Sequence, residues 1–502
     1  MASARRNPLI LLYNPRVASP GYHRLPASLL QLAVHLEPNY PYVLVDGNLD
    51  QGRDRAGEIM AQVQSRGVRY LGVTIMPGPQ LQQAIPDLKR IKAACPQLPI
   101  IVGGFFPTFH PQTCALDAAI DYVVVGPGEQ TLPELLAALE AGRDPGDVPG
   151  LAFERHGRVI QTPQRSPSHP DNLPRLPYHK VPMERYVVKT FLGTRTLSHH
   201  SSFGCPFHCN FCAVAKIAAG KWLAEDAIRV AELADFLVKR WQINALELHD
   251  NNFFVNETRV TAFCEELLRR GLKLNWWAQG RIDTLWGFST QTWKLMQASG
   301  LKMVFMGAES GDHRALRHMN KGGTLTPVQT LELAALMREY GIIPEFSFIV
   351  GNPGDSGADI ERSLEFIRKI KLIHPNAEII LYRYDPVPFE GQMWQDAVAQ
   401  GFRFPQTLSE WAQPYWARLQ RRRRADLPWF SKRDQLLVRD FETVLNAYYP
   451  SATDHRFQDG PWRPLLKVLS TWRYRWRCYR WPLELRTLQK LIHYQRPETS
   501  GF

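Results

Sequence analysis

The feature that most constrains this chain is an alternation, met twice, of short apolar runs with longer runs patterned as helices. In the first block the apolar runs are Leu9–Tyr13, Tyr42–Val45, Tyr70–Ile75, Ile100–Val102 and Tyr122–Val125. Helical patterns fall between them at 27–37, 80–94 and 131–141. Strands joined by helices pair in parallel, and a parallel sheet covered on both faces needs unbroken apolar runs. The class is therefore α/β. The second block has strand patterns at Ala245–His249, Leu274–Ala278, Met303–Met306, Glu345–Val350 and Ile379–Tyr382. Asn256 and Gly271 are the expected cap and stop of a helix in this block. Polar and glycine residues cluster after each of these strands, as in parallel barrels, whose sites lie at the carboxyl ends of the strands. Between the blocks, Gln161–Pro182 carries six prolines and reads as an extended connector. The expected division is 1–165, a connector at 166–194, a barrel at 195–395 and a mostly helical extension at 396–502.

Seven cysteines, an odd number and partly clustered, indicate a reducing compartment and ligand chemistry rather than a disulfide framework. Arg5-Arg6 before Leu9–Tyr13 is too short and too soon broken by Asn14-Pro15 to be a signal peptide, and no run is long enough to span a bilayer. The expectation is a cytoplasmic, soluble protein. The formal charge of +12 is concentrated near the end, in Arg421–Arg424 and in Thr471–Trp481, where arginine alternates with Trp and Tyr. That segment admits three readings: a helix packed on the barrel with snorkelling arginines, peripheral contact with anionic lipid, or nucleic acid.

Three cysteines fall within eight residues, as Cys205-Pro-Phe-His-Cys209-Asn-Phe-Cys212. Thiolates suit zinc, copper(I) or iron–sulfur clusters, and structural zinc closes with four ligands. Here no nearby fourth cysteine exists, since Cys264 lies at an apolar position of the helix from Asn256. Three ligands on a tight loop suit a [4Fe–4S] cluster with one open iron; a three-cysteine zinc loop or chance clustering are the alternatives. The loop resembles the C-x3-C-x-aromatic-C signature of the radical S-adenosylmethionine (SAM) superfamily, with Phe211 as the aromatic. That resemblance implies catalytic, cluster-binding roles for Cys205, Cys209 and Cys212. It also implies SAM contacts at Asp250 and Asn251 (beside Asn252), at Arg281 for the carboxylate, and at Glu309 and Ser310 on the ribose side. Gly351 and Asp355 are implied on the adenine side. Lys321 reads either as a charge near SAM or as a solvated lysine, and Tyr382 and Tyr384 either as hydrogen-atom relays or as packing residues.

In the first block, strand ends carry Thr74 with Met76-Pro-Gly, then Gly103-Gly104, then Gly126-Pro-Gly128-Glu129. Such glycines let backbone approach a large ligand closely. Their order resembles the Rossmann-like cobalamin-binding domain that precedes the radical SAM core in one large branch. Thr74, Gly103, Gly104, Gly126, Gly128 and Glu129 are the implied cobalamin contacts. The D-x-H-x-x-G motif that gives cobalt a histidine is absent, and His23, His35 and His110 read as surface or packing residues. A domain that has lost cobalamin is the alternative.

The resemblance thus implies a partial (β/α)6 TIM-like barrel behind a Rossmann-like domain, with [4Fe–4S], SAM and cobalamin as cofactors. The implied function is that of a radical enzyme, cleaving SAM to a 5′-deoxyadenosyl radical and methylating an unactivated carbon. A ring-forming oxidative enzyme like the anaerobic cyclase of bacteriochlorophyll synthesis is the first alternative. An RNA-modifying methylthiotransferase or a non-enzymatic iron–sulfur or cobalamin sensor would be of another class. Expected partners are a small-molecule substrate (lipid or terpenoid, tetrapyrrole, peptide or antibiotic intermediate) and an electron donor such as flavodoxin or ferredoxin. Nucleic acid is not expected, and peripheral membrane contact is allowed.

Overall fold

The structure, a computed structural model, describes residues 8–17, 24–37, 39–321, 325–355, 357–387, 391–416, 427–453 and 462–492. The chain forms two compact units, Met1–Tyr186 with Phe404–Ala425, and Val187–Arg403 with Asp426–Phe502.

The first unit is built on a seven-stranded sheet of β1 (Leu9–Asn14), β2 (Tyr42–Asp46), β3 (Val68–Thr74), β4 (Ile100–Gly103), β5 (Tyr122–Val124), β6 (Leu151–Arg155) and β7 (Arg158–Gln161). The order is β2-β1-β3-β4-β5-β6-β7, parallel through β5 and antiparallel beyond. Along β1, Ile10 and Leu12 enter one apolar core with Leu29 and Leu136, while Leu11 and Tyr13 enter the other with Ile59 and Ile85. Burial on both faces is why the run carries no polar alternation. Helices Ala27–Leu36, Leu81–Ala94 and Thr131–Glu140 supply the covers that the periodicity predicts. Helix Arg55–Arg66, capped by Asp54 and stopped by Gly67 at φ +68°, and the β6–β7 hairpin are additional. The hairpin turns at His156 and Gly157, both with positive φ, as a two-residue type I′ turn requires.

Two expected boundaries differ. The connector at 166–194 is not a free tether, because the Tyr186 hydroxyl donates to Asp46 at 2.8 Å and Arg185 pairs with Asp50 at 2.7 Å. The extension at 396–502 is not one piece, because Phe404, Leu408, Trp411 and Trp416 pack into the core of the first unit. Trp411 lies edge-on to Phe106 at 5.4 Å and against His110 at 4.7 Å, closing an apolar face from far along the sequence. His110 is thus a packing residue, and burial lowers its pKa to about 4. His35 bonds its own helix through Gln31, and His23 lies outside the described residues.

In the second unit, β8 (Thr196–His199), β11 (Ala245–Leu248), β12 (Asn275–Gly280), β13 (Leu301–Glu309), β14 (Ile343–Val350) and β15 (Glu378–Arg383) form a six-stranded, wholly parallel sheet in sequential order. A two-stranded antiparallel ribbon, β9 (Ser202–Gly204) with β10 (Trp222–Ala224), brackets the cysteine loop. Trp276 packs outward on Phe253, Phe254 and Phe263. By strand alternation its neighbour Trp277 faces the interior, where its indole N–H donates to Glu345 at 3.2 Å. Asn256 caps helix Glu257–Arg269 by accepting from Arg259, and Gly271, at φ +63°, follows its end. Cys264 is fully buried in that helix, a core residue as expected. Helices Gln392–Ala399, Lys432–Tyr448, Trp462–Arg475 and Leu483–Leu491 complete the unit, while Arg421–Arg424 lies outside the described residues. Among the described residues no helix is long and apolar enough to cross a membrane.

Two outcomes follow for the first unit. Trp411→Ala removes a nearly buried indole and is expected to cost about 3–5 kcal/mol in urea denaturation of this unit. His110 binds no proton in the folded state until pH falls to about 4, whereas the unfolded chain takes one near pH 6.5. Its contribution is therefore intact above pH 6.5 and is lost between there and pH 4, by up to about 2 kcal/mol given partial exposure. His110→Gln should flatten that part of the stability–pH curve.

Candidate active site: a three-cysteine loop and a glycine-lined sheet edge

The cysteine loop leaves β9 at Gly204, whose φ of +80° turns the chain sharply toward Cys205. Cys209 is buried, and Cys205 and Cys212 are half-buried. The loop is fixed from outside by the segment after β13. Asn210 donates its backbone N–H to Met319 O at 2.9 Å and its amide to His318 O at 2.8 Å. Asn320 returns a bond from its amide to His208 O at 2.8 Å, and His318 is itself held by Asp396 at 2.8 Å.

Arg281, at the carboxyl end of β12, is the pivot. Its Nη1 donates to the Cys209 sulfur at 3.3 Å and its Nη2 to Lys321 O at 3.2 Å. Asp283 takes the Nε and Nη2 donors at 3.0 and 2.7 Å, and the guanidinium lies 3.8 Å over the Phe207 ring. Arg281, for which the resemblance implies the SAM carboxylate, clamps the loop and pairs its fork with Asp283. Burial raises the Cys205 and Cys212 thiols, against backbone N–H groups and nearby cations that favour their thiolates.

The strand-end residues divide into two groups. Asp250 is fully buried and accepts from Ser201 N–H at 2.6 Å and from the Ser201 and Ser202 hydroxyls at 2.7 Å. Asp250 thereby sets the base of the β9–β10 ribbon. Asn251 is exposed. Asn252, two residues on, is fully buried, its amide makes no complete hydrogen bond among the described residues, and it stands beside Cys205, whose thiolate it favours. An unspent donor against a thiol, with three thiols on one rigid loop, fits an anionic iron–sulfur cluster.

Glu309 adopts a left-handed φ of +59° and forms a buried ion pair with Lys321 at 2.6 Å, the ammonium lying 5.4 Å over Phe211. Gly307 leaves room for that pair, since a Cβ there would collide with both partners. Lys321 is thus buried rather than solvated. Ser310 accepts from Asp312 N–H at 3.1 Å. Gly351 lies close against Phe430, and its carbonyl accepts from the Trp429 indole at 2.8 Å. Asp355 caps its own turn by accepting from Asn352 N–H and amide at 2.9 and 2.8 Å. Tyr384 is buried with Met319 and Met393, touching Phe211, and its hydroxyl has no partner among the described residues.

In the first unit, the strand order reverses between β1 and β3, which is where a doubly wound sheet binds its ligand. Gln80, fully buried, ties the two loops there: its amide donates to Asn14 at 3.0 Å and to Pro15 O, and its carbonyl accepts from Met76 N–H. Thr74 and Gly103 are register partners at the ends of β3 and β4. A Cβ on Gly104 would press to 3.0 Å on Ile75 O and Thr74 Oγ1, and one on Gly128 to 3.0 Å on Leu32. At those two positions close packing also requires glycine. Gly126 differs: at φ +83° it opens on empty space, with its N–H held by Thr108 at 3.0 Å, next to the half-buried Glu129. A glycine-lined, unfilled edge at the strand ends fits a large planar cofactor. Asn14, Thr108 and Gln80 are not legible as site residues from the sequence, because their partners lie far along the chain, and Asp283 matters only because Arg281 beside it is buried against the loop.

Residues 200–367 match the radical SAM superfamily and residues 16–136 match the B12 binding domain. An uncharacterised methyltransferase of Pyrococcus horikoshii is 29% identical over 60% of this chain and 63% of its own length. The anaerobic magnesium-protoporphyrin IX monomethyl ester cyclase of Rubrivivax gelatinosus is 27% identical over 58% of this chain and 52% of its own length. The chain thus spans roughly half to under two thirds of these curated relatives. The radical SAM methyltransferase TsrM of Kitasatospora setae, solved with cobalamin and a [4Fe–4S] cluster, shares the fold at TM-score 0.62 and 21% identity, over 75% of each chain. The chain thus carries a B12 binding domain over residues 16–136 ahead of a radical SAM domain over residues 200–367, the pair of domains whose cofactors are cobalamin, SAM and a [4Fe–4S] cluster.

Proposed function

We propose that this chain methylates an unactivated carbon of a small molecule, with SAM as the methyl source. The observation that carries this reading is the joining, in one chain, of the three-thiol loop with its clamp and the glycine-lined B12 edge. A SAM methyl group is electrophilic, so a carbon that is not nucleophilic cannot take it directly. When bound, the cluster supplies one-electron reduction of SAM, and cobalamin supplies a carrier for the methyl group.

The protein's own work is placement and exclusion of water. Cys205, Cys209 and Cys212 would hold the cluster, and Arg281 fixes the Cys209 sulfur with a charge that would favour an anionic cluster. Asn252 offers the unspent amide beside Cys205, and the Glu309–Lys321 pair closes the side of the loop next to Phe211. The Trp429 and Phe430 rings cover the end of β14. Thr74, Gly103, Gly104, Gly126, Gly128 and Glu129 form the edge assigned to cobalamin. An external one-electron donor, of the flavodoxin or ferredoxin kind, completes the requirement. The cyclase relative at 27% identity favours a second reading, ring formation on the same platform without methyl transfer.

Anaerobic purification with cobalamin supplied, followed by metal analysis, is expected to give about four iron and about one cobalt per chain. With methyl-labelled SAM, label in the product supports methylation. Complete turnover with label absent from the product would establish the second reading. Cys209→Ala should abolish cluster binding and SAM cleavage together. Asp283→Ala leaves Arg281 buried without its carboxylate, an expected loss of about 3–5 kcal/mol in urea denaturation of this unit. It should also lower iron retention by at least half, whereas Asp283→Glu should restore both in part.

A further inference from the structure

The C-terminal helix Trp462–Arg475 sorts its aromatics in a way the site does not explain. Its tyrosine is turned inward: Tyr474 stacks on Tyr448 at 4.4 Å and lies under Arg368 at 4.2 Å. Its tryptophans are turned outward. Trp462, Leu465, Val468, Trp472 and Trp476 recur at intervals of three or four residues and share one face over roughly 20 Å of helix. Val468 is 69% exposed and Trp476 78%, and Trp481, just beyond, is 66% exposed. This is a continuous apolar stripe, not scattered surface residues.

The surrounding charge is predominantly positive. Residues 462–492 contain eight Lys or Arg against one carboxylate, Glu484. Glu484 is already held by Arg473, and Arg477 pairs with Glu365 at 2.9 Å. Arg475 and Arg480 are exposed and have no carboxylate partner among the described residues. The occupant of this face must therefore be apolar on its inner side and anionic around it. Two copies of this chain would bring cation against cation. A nucleic acid would stack on the indoles but leave Leu465 and Val468 without a partner.

We propose that this face seats on an anionic phospholipid bilayer, the helix lying in the plane of the interface. The indoles and aliphatic side chains enter the acyl boundary, and Arg475 and Arg480 meet the head-group phosphates. The proposal concerns where the protein works and does not depend on which reaction it catalyses.

The test is flotation of the full chain with vesicles of phosphatidylcholine alone and with about 30% phosphatidylglycerol, at ~0.1 and ~0.5 M salt. The expected result is flotation with the anionic vesicles only, falling roughly tenfold at the higher salt. Trp476→Ser with Trp481→Ser should lower flotation by about tenfold or more while leaving the melting temperature unchanged, because both indoles are largely exposed. Arg475→Glu with Arg480→Glu should do the same without touching the apolar stripe. Absence of flotation with anionic vesicles, or flotation unchanged in both double variants, overturns the proposal. So does a dimer that the tryptophan variant dissociates while vesicles still fail to bind the parent chain.

Discussion

A guanidinium pressed against a thiol sulfur is the contact on which the second unit's chemistry depends. Arg281 is 5% exposed, so its charge has lost nearly all its water. It is tolerable only because Asp283 pairs with it in a fork and the Lys321 carbonyl takes another N–H. Those partners come from the β12 end and from the segment after β13. The same segment, through Met319, Asn320 and His318, bonds the cysteine loop at three further points. A loop of three soft ligands is thus locked before any ligand arrives, and reorganisation on binding is kept small.

The first unit meets a different constraint with the same economy. A parallel sheet leaves its strand ends ragged, and Gln80 closes the gap at the reversal of strand order by bonding both flanking loops. The backbone beyond β3, β4 and β5 then carries the glycines. Two of these serve packing against Thr74 and Leu32, and Gly126 keeps an edge open. A run of glycines at strand ends is therefore not one signal but several, separable only when the neighbours of each are known.

That distinction explains what the sequence could tell. Strands buried on both faces announce themselves as unbroken apolar runs, and ten of them were legible, as were the Asn256 cap, the core position of Cys264 and the cysteine loop. Helix Arg55–Arg66 is mostly polar and buries little beyond Arg55, Ala56 and Ile59, so its periodicity was faint. The β6–β7 hairpin had a local signal in His156-Gly157, but its outer strand is largely exposed and lacks an apolar run. Among site residues assigned from motif position, three have protein partners that motif position does not announce. Asp250 found two serines, Asp355 found Asn352, and Gly351 found Phe430. Asn252, the residue left with an unspent amide, differs from its neighbours only in where the backbone aims it.

The packing of Trp411 into the first unit also has a consequence for synthesis. The sheet of that unit is finished by Tyr186, yet Leu408 and Trp411, which belong to its core, are made more than two hundred residues later. At ordinary translation rates of about 5–20 residues per second, the nascent sheet waits on the order of ten seconds or more with the Phe106 side uncovered. During that interval the barrel is emerging, with apolar strands of its own. The chain's order of manufacture thus leaves one apolar face uncovered while a second set of apolar strands is still being made.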